Sequence, residues 1–99
     1  MSCLQGYVKA TFSQICEIMG APDLEESGDG KVSTEFVFTD FESNEIRIYD
    51  WKEYDGGERC RSEAVYEWHV GGRTPYVIEV VNEMLDAEGY EMTATRKRT

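Results

Sequence analysis

The sequence predicts an α+β domain: a three- to four-stranded, mainly antiparallel sheet with two helices packed on one face, in the order β-α-β-β-β-α. Three observations predict it. Two segments carry apolar residues at helical spacing between start and stop signals. The stretch 32–52 alternates apolar and polar residues on either side of a short polar turn, as a β-hairpin does. A third alternating run, 64–70, separates that hairpin from the second helix. One apolar stripe per helix and one apolar face per strand are buried most economically in two layers.

Residues 3–10, CLQGYVKA, alternate weakly and predict a short strand with Leu4 and Val8 on one face. Thr11 to Met19 predicts a helix. Thr11 and Gln14 match a capping box, in which each side chain satisfies the other residue's backbone amide. Phe12, Ile15, Cys16 and Met19 fall on one face. Gly20 and Pro22 end the helix. Ser27-Gly28-Asp29-Gly30 predicts a turn. A phosphate-binding loop is excluded there, because Glu25 and Val32 stand where Gly and Ser or Thr are needed. The alternating oxygen ligands of a calcium loop are also missing.

Val32 to Asp40 predicts a strand with Val32, Thr34, Phe36 and Phe38 facing the core. After the turn 41–44, Glu45 to Lys52 returns with Ile46 and Ile48 inward and Glu45, Arg47, Tyr49 and Trp51 outward. Residues 54–63 predict an exposed, mobile connection around Gly56-Gly57. Ala64 to Val70 predicts the third strand, ended by Gly71-Gly72. Thr74 caps the second helix, with Pro75 at its first position. Val77, Val80, Val81, Met84 and Leu85 form its stripe, and Gly89 closes it.

Ninety-nine residues predict one domain. The 40% hydrophobic and 30% charged fractions exclude a disordered chain. No apolar run reaches the ~20 residues of a membrane span, and residues 1–10 lack a secretory signal, which predicts a cytosolic protein. Cys3, Cys16 and Cys60 are odd in number and widely spaced, so neither a disulfide framework nor a zinc site is expected. No cofactor is expected.

Twenty acids face ten bases, a net of −10. Residues 93–99 hold three of the bases and predict a short, frayed basic tail; residues 1–92 form the acidic domain, with seven bases against twenty acids. Such a body repels nucleic acid and anionic membranes, and attracts basic protein surfaces. A hundred-residue acidic domain can approach about half the charge density of DNA, which carries one charge per ~1.7 Å of axis.

His69, the single histidine, lies beside Glu67 on the less apolar face of its strand, but no nucleophile stands near it in sequence. An exposed or structural histidine is the favoured reading. Gly71-Gly72 before a capped helix is favoured as a chain turn over an anion site. The outer hairpin face is the most informative constellation. It sets Tyr49 and Trp51 among Glu35, Glu45 and Asp55, and these five residues are the predicted partner-binding site. Exposed Trp and Tyr are enriched at binding hot spots, and the acids suit a basic partner. The competing expectation is that the 53–63 loop or a second subunit covers this face.

The runs GYVKATFSQICEIMGAP, SGDGKVSTEFVF, IRIYDWK and YEWHVGG, with the closing helix, together resemble a family of small phage- and prophage-encoded proteins. The resemblance spans most of residues 5–88 and carries no catalytic residue. It implies a phage accessory gene, and thus a non-enzymatic inhibitor of a host nucleic-acid-handling defence enzyme, of the anti-CRISPR or anti-restriction type. The expected partner is a host protein with a basic surface, without direct nucleic-acid or membrane binding. The alternative is a structural or regulatory accessory module acting as a small homodimer, without mimicry.

Overall fold

Backbone hydrogen bonding follows the expected order and adds a strand: β1 (Cys3–Ala10), α1 (Phe12–Met19), β2 (Glu35–Thr39), β3 (Glu45–Tyr49), β4 (Tyr66–Gly72), α2 (Tyr76–Ala87) and β5 (Thr95–Arg96). This computed structural model describes residues 3–98. All five strands join one antiparallel sheet in the order β2-β3-β4-β1-β5. Among the described residues no helix is long and apolar enough to cross a membrane.

Alternation along the strands decides which face is buried. Val8, Ala10, Phe36, Ile46, Ile48, Tyr66, Trp68 and Val70 point into one core, where Ile15, Ile18 and Met19 of α1 and Val77, Ile78, Val80, Val81 and Leu85 of α2 meet them. Both helices therefore lie on one face of the sheet, and its other face carries no helix. Phe36 pairs with Ile48 and Phe38 with Ile46, which puts the expected Phe/Ile face inward. Trp68 is fully buried, and its indole N–H donates to the Ala10 carbonyl at 3.0 Å. That bond satisfies its one polar atom.

The helix ends match their signals. Gln14 N–H donates to Thr11 Oγ1 at 3.2 Å, and Thr11 N–H donates to Gln14 Oε1 at 2.9 Å. Gly20 follows α1 at φ 86, a conformation that favours glycine. Thr74 Oγ1 accepts from Tyr76 N–H at 3.3 Å, while Pro75 is already helical at φ −62. Within α1 the buried stripe is Ile15, Ile18 and Met19; Phe12 and Cys16, expected in it, are only partly buried at its edge.

Several boundaries differ from expectation, each for a local reason. The ladder of β1 slips between Leu4 and Gly6, so Leu4 lies opposite Gly71 while Val8 lies opposite Trp68. Gly71 and Trp68 are on opposite faces, so Leu4 and Val8 do not share one. Gly71 and Gly72 do not end their strand but belong to it. At Gly72 a Cβ would stand 2.5 Å from Val77 Cγ1, so the missing side chain lets α2 settle on the sheet. A Cβ at Gly6 would overlap the Thr95 carbonyl oxygen, which is why β5 can pair there.

The tail is not frayed through the described residues. Ala94 exchanges two hydrogen bonds with the Asn82 side chain, at 2.6 and 3.1 Å, and Lys97 N–H donates to the Gln5 carbonyl at 2.8 Å. The 53–63 connection is also tied down. Cys60 is fully buried in the core, with Sγ 3.5 Å from Thr34 Oγ1.

Candidate functional site

The helix-free face carries one row of side chains across all five strands. Register places Glu35 beside Tyr49, Tyr49 beside His69, His69 beside Tyr7, and Tyr7 beside Thr95. The chain continues past β3 to bring Trp51 back onto the same face. Four rings result in mutual contact. Tyr7 meets His69 edge-on at 5.1 Å, Tyr49 lies 5.5 Å from His69, and Trp51 stacks on His69 at 6.0 Å and meets Tyr49 at 6.2 Å. Trp51 remains 37% exposed, and the other three rings are half-buried. His69 is the hub of the cluster. Burial in it holds the imidazole pKa below its ordinary value, against the opposing pull of Glu67, Asp50 and Glu53. Burial, then Glu35, pushes the Tyr49 hydroxyl up.

Trp51 is positioned by the residue before it. Asp50 is buried at 1% exposure, and its carboxylate accepts from Ser33 N–H at 2.8 Å, Ser33 Oγ at 2.6 Å and Thr34 N–H at 2.9 Å. These bonds replace the ladder that was expected to run through Val32–Thr34, so β2 starts at Glu35 and β3 ends at Tyr49. Lys52 then turns at φ 57. On the inner side, Tyr66 Oη donates to Glu53 Oε2 at 2.8 Å and accepts from Trp51 N–H at 3.4 Å.

The five residues expected to bind a partner divide into three groups. Tyr49 and Trp51 stand together in the ring cluster. Glu35 and Glu45 flank Arg47, which reaches Glu35 Oε1 at 3.0 Å and Glu45 Oε1 at 2.8 Å. Burial opposes the Arg47 charge, but the hydrogen bonds and attraction of Glu45 and Glu35 outweigh it and hold its pKa above the ordinary value. These two acids therefore form a local ion-pair network instead of a free acidic rim. Asp55 lies off the row, in the connecting loop, where its carboxylate accepts from Gly57 and Arg59 N–H at 2.9 Å each and closes a turn.

Charge on this face is close to balanced, unlike that of the protein as a whole. Lys31 and Lys52 stand 5.9 and 5.6 Å from the Trp51 ring centre, and Arg59 lines the hollow between Trp51 and His69. At the other end, Lys9, Arg96 and Arg98 surround Tyr7, and Arg47 lies between. The acids among them are Glu35, Glu45, Glu53 and Glu67, together with Asp29, 3.6 Å from Lys31, and Glu79, 3.3 Å from Arg96. Seven bases thus stand with six acids here, which leaves three bases against fourteen acids for the rest of the chain.

Tyr7, His69, Lys31 and Lys52 were not singled out from the sequence as parts of this site. Alternation did place His69 opposite in sense to Trp68, but only the register shows that Tyr7, Tyr49 and Trp51 surround it. The three cysteines are free thiols, and among the described residues no group of three or more His, Cys, Asp or Glu is arranged to hold a metal ion. Comparison with protein-family models, curated proteins and solved structures finds no match.

Proposed function

We propose that this chain is a non-enzymatic protein-binding module that docks a partner on the open face of its sheet. Trp51 and Tyr49 anchor the contact, and His69 and Tyr7 complete it. The observation that carries this reading is the four-ring cluster on the face that no helix covers. Rigid, amphipathic rings at the centre of a patch supply most of the energy in many protein interfaces. The motif set and the acid excess favour an inhibitor of the phage-encoded type, acting on a host nucleic-acid-handling enzyme. The ring cluster supports the binding step alone.

A second reading, docking of a basic partner elsewhere, is favoured by one observation. Phe41 is fully exposed at the β2–β3 turn, and nearby Tyr76 is 43% exposed. Glu42 foremost, then burial, Glu83, Asp40 and Glu79 raise the pKa of the Tyr76 hydroxyl, so this corner is both aromatic and acidic.

The two readings separate in one experiment. The partner is captured on the wild-type chain, and its affinity is measured for Trp51→Ala and for Phe41→Ala with Tyr76→Ala. Loss of a central aromatic anchor costs ~2 kcal/mol or more, about thirtyfold in affinity. A thirtyfold loss in Trp51→Ala alone supports the open face. A loss confined to the Phe41/Tyr76 variant replaces it with the acidic corner.

A further inference from the structure

We propose that the partner segment held on the open face is acidic: a polypeptide stretch carrying Asp or Glu beside aromatic or apolar side chains. This rests on the reading of that face as the docking surface and reverses the sign that the net charge suggests. At physiological salt, exposed charges are screened beyond about 8 Å. Lys31 and Lys52 lie within that distance of the Trp51 ring, whereas the domain is 27 Å across even at its narrowest. A segment lying on the rings therefore senses the charges of this face, above all those left unpaired, more than the acids on the helices and the far loops.

Of the seven bases on this face, salt bridges among the described residues engage Lys31, Arg47, Arg59 and Arg96 and leave Lys9, Lys52 and Arg98 unpaired, whereas of its six acids only Glu67 is in none. The unpaired cations stand at the two ends of the ring row, Lys52 by Trp51 and Lys9 with Arg98 by Tyr7. A segment crossing the strands meets a cation at each end and rings between. A basic segment on the same path meets two lysines already placed at Trp51. Single-stranded nucleic acid also likes cations and rings. Its charge repeats at every nucleotide, however, and continues past the patch onto a surface with fourteen acids and three bases.

The test uses three dye-labelled probes at low salt, read by fluorescence anisotropy: a random Glu–Tyr copolymer, a random Lys–Tyr copolymer and oligo-deoxythymidine. The proteins are wild type, Trp51→Ala, Trp51→Phe, and the triple variant Lys9→Gln, Lys52→Gln, Arg98→Gln, each with its thermal melt. The proposal expects the Glu–Tyr copolymer to bind best. Its affinity falls about thirtyfold in Trp51→Ala and about tenfold in the triple variant, and is largely kept in Trp51→Phe. If the Lys–Tyr copolymer binds in a Trp51-dependent way and the Glu–Tyr copolymer does not, the docking face stands and the acidic partner is wrong. Tighter Trp51-dependent binding of oligo-deoxythymidine replaces the polypeptide with nucleic acid. If no probe responds to Trp51→Ala, both the acidic partner and the docking face are overturned.

Discussion

Replacing Asp50 with alanine should be among the most damaging single substitutions in this protein, although Asp50 is a charged residue next to a loop. Its carboxylate is 1% exposed and accepts three hydrogen bonds, from Ser33 N–H, Ser33 Oγ and Thr34 N–H. Alanine leaves two backbone amides and one hydroxyl buried without partners. A buried polar group left unsatisfied costs about 1–3 kcal/mol. The serine hydroxyl can turn to another acceptor, so the two amides set the scale, and the expected loss is about 3–5 kcal/mol. That is a large share of the ~5–15 kcal/mol that holds a domain of this size together. Asparagine keeps an acceptor oxygen for both amides, so Asp50→Asn should lose about 1–2 kcal/mol. Urea unfolding followed by circular dichroism gives both values, provided the slope with denaturant is unchanged. An Asp50→Ala protein within about 1 kcal/mol of wild type, or one more stable than Asp50→Asn, would refute the role assigned to this carboxylate.

Other expectations follow from the core, the glycines and the ring cluster. Phe36→Ala and Ile48→Ala should each cost about 2–5 kcal/mol, because both side chains are fully buried; melts unchanged in both would mean that the hairpin register is wrong. Gly72→Ala should cost about 1–3 kcal/mol in the same assay, because its Cβ runs into Val77, and a neutral result would remove the argument for glycine there. For His69 the folded pKa lies below the unfolded one, so the unfolded chain binds more protons and stability rises with pH through the window below about 6.5. Wild type should therefore lose stability relative to His69→Gln as pH falls through that window, measured as paired urea midpoints; a constant difference would contradict the burial of the imidazole. Iodide should quench the exposed Trp51 better than caesium does, despite a net charge of −10, because Lys31 and Lys52 flank its ring. Trp51→Phe supplies the Trp68 background, and preferential quenching by caesium would show that the acids prevail locally.

Periodicity made the two helices, the hairpin and its inner face legible in the sequence. Capping chemistry at Thr11/Gln14 and Thr74/Pro75 did the same for the helix starts. What escaped depends on contacts distant in sequence. Gly71-Gly72 reads as a break because its purpose, room for Val77, is visible only once α2 lies on β4. The ladder slip in β1 and the pairing of β5 at Gly6 are equally non-local. In the site, alternation correctly gathered Tyr49, Trp51, Glu35 and Glu45 near one another, but residue type alone could not reveal that Arg47 engages both acids. Reversing Glu35 and Glu45 to lysine would set new cations against Arg47, so it perturbs the face as well as any rim. Asp55 was grouped with them by sequence proximity, whereas its carboxylate closes a turn in the connecting loop. The near balance of charge on the face required knowing that bases from the loops at 31, 52 and 59 and from the tail converge on the rings.

Everything proposed for the open face requires that Trp51 belong to a docking surface and not to the core. The most direct test measures, on the same Trp51→Ala preparation, the affinity for the captured partner and the thermal midpoint. With its ring 37% exposed, truncation should cost about 1 kcal/mol of stability, a shift of ~4–8 °C. The affinity should fall by about thirtyfold or more. A protein that melts far below wild type, or one that keeps its affinity within about twofold, a change of less than about half a kcal/mol, would contradict the claim and move the interface away from the open face.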